Sequence, residues 1–242
     1  MVLLWLIALP TDVIRESIED AVARSGHSNM SLSVEGLRKG IFFALYADSL
    51  NLNVDNTPAL KITDFKGNYS PRYLTDRQLG FSIKGKVGSG DVRGVLKVPL
   101  EGTIRIDRAE LKSIPYLEQF GMNIKGSVTS DINIINDVVK VIFEVPDLNI
   151  DDSASVIPLL NTFRKLQGAL SVKGNSISVD SISLEGDKGY ARLKGDITNN
   201  VMDLALELMP AAGKLNTMES MLVGKYIVSP GYYVVPIKGP LP

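Results

Sequence analysis

The chain has 242 residues, of which 45% are hydrophobic and 22% charged, and its formal net charge is −1. This composition is typical of a globular protein, and it lacks the basic excess that nucleic-acid binding requires. The sequence contains no cysteine and one histidine, His27. Disulfides, thiolate metal sites, thiol catalysis and sites built from several histidines are therefore excluded.

The first nine residues form a continuously apolar run that includes Trp5. Nine residues are too few to cross a bilayer, which takes about 20. Two interpretations remain open: the run is a buried or interfacial start, or it is the outer end of a longer membrane helix. We favour the second, because Trp5 suits a membrane interface and Pro10 precedes a capped helix. We therefore expect residues 1–10 to be the end of a membrane anchor that this sequence truncates.

Residues 11–26 are predicted to form an amphipathic helix. Thr11 or Asp12 can cap its first turn, and Gly26 can end it. Several apolar residues fall on one face at helical spacing. They are Val13, Ile14, Ile18, Ala21 and Val22.

Residues 27–242 are predicted to form a single repetitive β domain. Apolar and polar residues alternate along most of this region, as they do in strands that bury one face. A triplet of an apolar residue, lysine and glycine recurs at the ends of these stretches and suggests a repeated strand unit. The triplets are Phe65–Gly67, Ile83–Gly85, Ile124–Gly126, Val172–Gly174, Leu193–Gly195 and Ile237–Gly239.

The clearest hairpin joins residues 81–87 to 92–98 through a turn at Gly88–Asp91. Earlier strands are predicted at 41–47 and 50–54, and residues 122–128 alternate as one strand. Short helices are predicted at 114–121, 157–168 and 215–223, where each would cover an edge or open end of the sheet. The predicted fold is therefore mainly β: an elongated, curled antiparallel sheet, either an open trough or a flattened barrel, with a few short covering helices.

No motif indicates a catalytic, cofactor or metal site. Residues 80–87 approach a phosphate-binding loop, but Val87 replaces the Ser or Thr that holds magnesium, and the segment alternates like a strand. Asp147, Asp151 and Asp152 lack the spacing of a calcium loop. We therefore predict a protein that is not an enzyme and that needs no cofactor.

The remaining candidate site is the apolar face of the sheet. Either this face packs on itself as a closed core, or it lines an open trough that is available to acyl chains; the sequence leaves both interpretations open. Glycines inside the strands allow sharp bending. The residues predicted to line such a groove are Phe81, Ile83, Val87, Met122, Ile124, Val141, Phe143, Val172, Leu193, Leu204 and Leu206.

Several segments support a family resemblance, together with the repeated strand triplets. They are Leu9–Glu16, Val34–Leu37, Asp48–Leu52, Leu204–Pro210 and Val235–Pro242. Through them the chain resembles the type II secretion system protein N family (GspN) and, more distantly, AsmA-like envelope proteins.

The resemblance to GspN implies a single inner-membrane helix, with the bulk of the chain in the bacterial periplasm. It also implies a non-enzymatic part in, or beside, the secretion apparatus, with secretion-system or other envelope proteins as partners. The resemblance to AsmA-like proteins implies a groove-forming sheet that binds or transfers lipid. A carbohydrate-active periplasmic β protein is a third hypothesis. The chain departs from the family in lacking a complete anchor and in stopping at Gly239–Pro242, where related chains continue.

Overall fold

A computed structural model describes residues 10–23, 30–54, 57–76, 78–98, 101–118, 124–150 and 160–240. Strands account for 68% of the structure, so the predicted mainly β fold is confirmed. The described helices are α1 (Thr11–Ala23), α2 (Pro115–Glu118) and α3 (Thr217–Gly224). Helices α1, α2 and α3 lie where the sequence predicts helices. Residues 24–26 of the first prediction and 119–121 of the second lie outside the described residues.

The strands follow one another with short turns between most of them. They are β1 (Met30–Glu35), β2 (Arg38–Lys39), β3 (Leu45–Val54), β4 (Thr57–Ser70), β5 (Leu79–Val87), β6 (Gly90–Val98), β7 (Glu101–Glu110), β8 (Ile124–Lys125), β9 (Ser127–Ile135), β10 (Val138–Val145), β11 (Asn149–Ile150), β12 (Phe163–Lys173), β13 (Ser176–Gly186), β14 (Gly189–Thr198), β15 (Val201–Pro210), β16 (Ile227–Ser229) and β17 (Tyr232–Pro240).

The described strands form one antiparallel sheet of 15 strands and a separate two-stranded sheet of β8 and β11. The order in the large sheet is β1-β3-β4-β5-β6-β7-β9-β10-β12-β13-β14-β15-β17-β16, with β2 paired to β3. Within the described part of the chain, this path does not return to its first strand, so the sheet is not closed into a barrel.

Contacts within the chain separate it into two compact units. Unit 1 comprises residues 1–120 and 131–137, and unit 2 comprises residues 121–130 and 138–242. Both units contain strands of the region from residue 27 to residue 242 that the sequence predicts to be one β domain.

In unit 1 the core lies at one end of the β5–β6 hairpin. Val87 and Val92 are 0% and 2% exposed, and Leu111, in the turn that follows β7, is 6% exposed. Gly88 occupies the left-handed region of the hairpin turn with φ 57. The hydroxyl of Ser89 in the same turn donates a 2.8 Å hydrogen bond to Glu110, which ties the hairpin to the end of β7.

Helix α1 packs on β1, the first strand of the sheet. The backbone N–H of Val34 in β1 donates a 2.9 Å hydrogen bond to the carboxylate of Glu19 in α1. A carboxylate thereby satisfies a backbone donor on an edge strand, which would otherwise be free to pair with another chain.

In unit 2 the apolar side chains of six strands lie on one face of the sheet, and two features of the sequence explain this. The strands are β10, β12, β13, β14, β15 and β17. Apolar residues alternate along each strand, so their side chains point to the same side of the sheet. Where the alternation breaks in β13, between Val179 and Ile182, the pairing shifts register by a β-bulge. The bulge returns Ile182 to the apolar face.

Two predicted elements are wrong over their described residues. The helix predicted at 157–168 is replaced by a single 3-10 turn at Leu160–Thr162 and by β12, which begins at Phe163. The strand predicted at 41–47 begins only at Leu45, because Ile41–Phe43 form a 3-10 turn in which Phe42 has a φ of 56.

Residues 122–128 alternate in the sequence as if they were one strand, but the structure divides them. Ile124 and Lys125 pair with β11 in the two-stranded sheet, and β9 begins at Ser127. Gly126 separates the two strands with a φ of 143, a conformation that strongly favours glycine. Met122 lies outside the described residues.

Candidate functional site

The apolar face of unit 2 is built from rows of directly opposed residues that cross six neighbouring strands. One row runs Phe143, Gly168, Ile182, Leu193, Leu206, Val235, and the next runs Val141, Leu170, Val179, Gly195, Leu204, Ile237. Two further rows flank them: Val145, Leu166, Leu184, Ala191, Leu208, Tyr233, and Val139, Val172, Ile177, Ile197, Met202, Gly239. No charged side chain interrupts these four rows.

Burial differs within this face. Val145, Val179, Ala191 and Leu204 are at most 6% exposed and form its packed part. Phe143, Leu193, Leu206 and their row neighbours are only half-buried. A second layer packed over the whole face would bury these side chains. The face therefore keeps accessible apolar surface that an apolar ligand could cover.

Two glycines shape this face at positions where a side chain would clash. Gly168 lies opposite Phe143, and a Cβ at Gly168 would lie 2.6 Å from a ring carbon of Phe143. Gly195 has a φ of 128, and a Cβ there would lie 2.3 Å from the carbonyl oxygen of Asp203. The first glycine leaves room for an aromatic ring, and the second allows close approach of β14 to β15.

Unit 1 has an apolar face of its own across β4, β5, β6 and β7. Its rows are Gly67, Ile83, Gly94, Ile104, and Tyr69, Phe81, Leu96, Gly102. The ring of Tyr69 packs edge-on against Phe43 and Phe81, with centroids 6.0 and 5.9 Å apart. Helix α2 contacts β4, and this face is narrower than that of unit 2.

The structure distributes the predicted groove residues among three places. Val141, Phe143, Val172, Leu193, Leu204 and Leu206 share the apolar face of unit 2. Phe81, Ile83 and Val87 lie on β5 of unit 1, where Val87 is fully buried in the core of the hairpin. Ile124 lies in the two-stranded sheet of β8 and β11.

Sequence reasoning missed several residues of the unit 2 face. Leu170, Ile182 and Val235 belong to it and were not predicted to line a groove. The sequence does contain a signal for Ile182. Apolar residues of this strand are two positions apart up to Val179, and the next one, Ile182, follows three positions later. This change of spacing is typical of a β-bulge in a continuous strand.

The opposite face of the same strands is polar, and its most buried charge is Glu207 on β15, at 2% exposure. The Glu207 carboxylate accepts hydrogen bonds from Arg192 at 2.8 Å and from Lys194 at 2.5 Å. The hydrogen bond from Lys194 lowers the pKa of the Glu207 carboxyl; burial opposes this effect, and Arg192 adds to the lowering. Glu207 is therefore ionised at neutral pH and neutralised by its neighbours.

Two concave features of unit 2 differ in size and in lining. A cavity of about 20 Å³ lies where α3 meets the sheet, beside Leu215, Val223 and Tyr233; it can hold a water molecule but not an acyl chain. An open depression of about 490 Å³ is lined by Val179, Gly195 and Leu204 of the apolar rows and by the charged residues Lys194, Asp196, Asp203 and Lys238. Lys238 and Asp203 pair at 3.0 Å, so the depression combines apolar lining with charged groups of both signs.

Among the described residues, no helix is both long enough and apolar enough to span a membrane. The predicted anchor at residues 1–10 falls on residues of which only Pro10 is described. Comparison of the chain with models of protein families, with curated proteins and with solved structures finds no match.

Proposed function

We propose that this chain is a non-enzymatic bacterial envelope protein that holds lipid acyl chains against the apolar face of unit 2. The observation that supports this proposal most directly is the half-burial of the uncharged rows that contain Phe143, Leu193 and Leu206. Six strands at a spacing of about 4.8 Å give the face a width of about 24 Å. An acyl chain that spans one leaflet, half of a hydrocarbon core about 30 Å thick, fits within that width.

A second role, as an inner-membrane-anchored periplasmic component beside the type II secretion apparatus, is proposed on the resemblance described above. The segments Leu9–Glu16 and Leu204–Pro210 support it most clearly. The two roles are compatible, because an envelope protein can bind lipid and also contact secretion proteins. They differ in what the protein should retain when it is isolated.

Purification from a bacterial envelope, followed by mass spectrometry of the denatured protein, tests which ligand is retained. We expect bound phospholipid or fatty acid. A lipid with a photoreactive group on its acyl chain should then crosslink to the apolar face, at peptides containing Leu193, Leu206 or Val235. Recovery of secretion-system proteins without lipid would favour the second role and contradict the first.

A matched pair of substitutions on β15 separates the two faces of the strand. Leu206→Asp places a charge on the apolar face and should reduce crosslinking at least about tenfold, because a buried charge is costly to desolvate. Ala205→Asp, on the opposite face, should leave crosslinking unchanged. Circular dichroism must show that both variants keep the β fold. Equal crosslinking of the two folded variants would rule out the apolar face as the lipid site.

A further inference from the structure

An apolar patch is exposed at the end of unit 2, outside the face described above. It consists of Met218, Met221 and Leu222 on α3 and of Ile227 and Val228 on β16, which are 71%, 78%, 47%, 56% and 63% exposed. These residues lie within eleven positions of the chain. Scattered single apolar residues are normal on a protein surface, but a group of this kind is typical of an interaction site.

The inner side of helix α3 makes polar contacts that hold it to the rest of unit 2. Glu219 is buried, and its carboxylate binds the ammonium group of Lys188 at 2.5 Å and the backbone N–H of Asn216 at 2.8 Å. The side chain of Asn216 in turn accepts a 2.8 Å hydrogen bond from the N–H of Glu219. This reciprocal capping box fixes the first turn of the helix and leaves Met218 and Met221 on the outside.

The exposed charges of the segment that carries the patch have one sign. Between residues 211 and 231 the charged residues are Lys214, Glu219 and Lys225. Glu219 is buried and paired, whereas Lys214 and Lys225 are exposed. Lys225 also lies 4.8 Å from the ring centroid of Tyr226. Exposed lysines and a partly buried tyrosine beside exposed apolar side chains are typical of segments that lie at an anionic membrane surface.

We propose that this patch, the α3–β16 patch, seats unit 2 on an anionic lipid bilayer. The apolar side chains of Met218, Met221 and Leu222 enter the boundary between headgroups and acyl chains, and Lys214 and Lys225 contact lipid phosphates. A second copy of the chain fits the patch less well, because a two-fold contact between identical patches brings like charges together. The proposal does not depend on lipid binding by the apolar face.

A local fluorescence measurement tests the proposal, and the absence of cysteine from the chain makes single-site labelling simple. The full chain carrying Met221→Cys is labelled with the environment-sensitive fluorophore NBD. Vesicles of phosphatidylglycerol and phosphatidylcholine are then added. We expect a blue shift and a several-fold rise in emission at position 221. The matched control is Ile142→Cys, on the polar face of β10 and 62% exposed, where emission should not change.

Two variants then separate the apolar and electrostatic contributions. Met218→Ser in the labelled chain should weaken binding about tenfold, since one apolar side chain is lost from the buried set. Lys214→Gln with Lys225→Gln should weaken binding to anionic vesicles about fivefold per lysine and leave binding to pure phosphatidylcholine unchanged. The proposal is wrong if emission at position 221 does not change when vesicles are added. It is also wrong if neutral and anionic vesicles change the emission equally. A blue shift that appears with rising protein concentration alone would show self-association and would also overturn it.

Discussion

The Glu207 carboxylate on β15 combines near-complete burial with two basic partners, Arg192 and Lys194, which are 40% and 49% exposed. A carboxylate in this position must stay paired, because removing it from water without partners would be costly. Since both partners remain partly hydrated, the net stabilisation is modest, as for most partly exposed ion pairs. The lowered pKa of Glu207 nevertheless links this site to the pH dependence of folding.

A carboxyl whose pKa is lower in the folded protein than in the unfolded chain stabilises the fold at pH values above its ordinary pKa, about 4.3. That contribution is lost as the pH falls through the lowered, folded-state value. We therefore expect Glu207→Gln to reduce the melting temperature at pH 7 by a few degrees, for a loss of about 1 kcal/mol. The difference between variant and wild type should shrink as the pH is lowered through 4 towards 2.

Thermal melts of both proteins across this pH range provide the measurement. Glu185→Gln is the matched control, because Glu185 lies on β13, two strands from β15 in the same sheet, with an exposed side chain. It should leave the melting temperature at pH 7 nearly unchanged. A difference between Glu207→Gln and wild type that stays constant from pH 7 to pH 2 would contradict the assigned role of the ionised carboxylate.

At the scale of single elements, β17 shows how a strand avoids further pairing along the stretch that its outer neighbour, β16, leaves uncovered. It pairs with β15 along Tyr233–Pro240 but with β16 only at Tyr232 and Tyr233. The N–H of Val234 points away from β15, since it donates a 3.0 Å hydrogen bond to the carbonyl of Tyr226. In an antiparallel strand every second residue points the same way. Residues 236, 238 and 240 therefore also face outward.

Two of these three outward positions are prolines, Pro236 and Pro240. Proline has no N–H, so among positions 236, 238 and 240 only Lys238 has a backbone N–H that points outward. The charged side chain of Lys238 also discourages pairing with another strand. Restoring the donors with Pro236→Val and Pro240→Val should let β17 pair with β17 of another copy. We expect oligomers that grow with protein concentration, measured by light scattering after gel filtration.

The monomer itself should fold as before, because neither proline takes part in the hydrogen bonds to β15. Pro115→Ala is the control: it restores an N–H at the first position of α2, where no strand edge is present. A double variant on β17 that stays monomeric at all concentrations would show that the prolines do not protect this edge.

The elements that could be predicted from sequence are those in which alternation is uninterrupted. The β5–β6 hairpin was predicted from residues 81–98, and the structure has it at Leu79–Val98. The start of β12 was missed because Phe163 and Leu166 lie three residues apart, a spacing typical of a helix. A register shift between Phe163 and Lys165 explains that spacing within a strand. Alternation predicts which residues of unit 2 share a face. It does not predict whether another layer packs over that face, and this decides how much of its apolar surface is accessible.

At the scale of the whole molecule, pairing is mostly between strands that follow one another in sequence. Strands β3 to β7 form one such series and β12 to β15 another. Each strand therefore draws its stability from its immediate neighbours, as repeats do in solenoid proteins. A substitution that destabilises one hairpin should therefore leave distant strands unaffected, because each strand pairs mainly with its immediate neighbours.

Val87→Ala tests this expectation, because Val87 is fully buried in the β5–β6 hairpin. Losing two methyl groups and leaving a small cavity should cost about 2 kcal/mol. Hydrogen exchange followed by mass spectrometry should then show amides of β5, β6 and β7 exchanging up to about 30-fold faster. Amides of β13, β14 and β15 should keep their wild-type rates. Val95→Ala, on the half-buried opposite face of β6, should have a much smaller effect. Uniform acceleration across all strands would instead indicate one cooperative unit, in which the sheet melts as a whole rather than strand by strand.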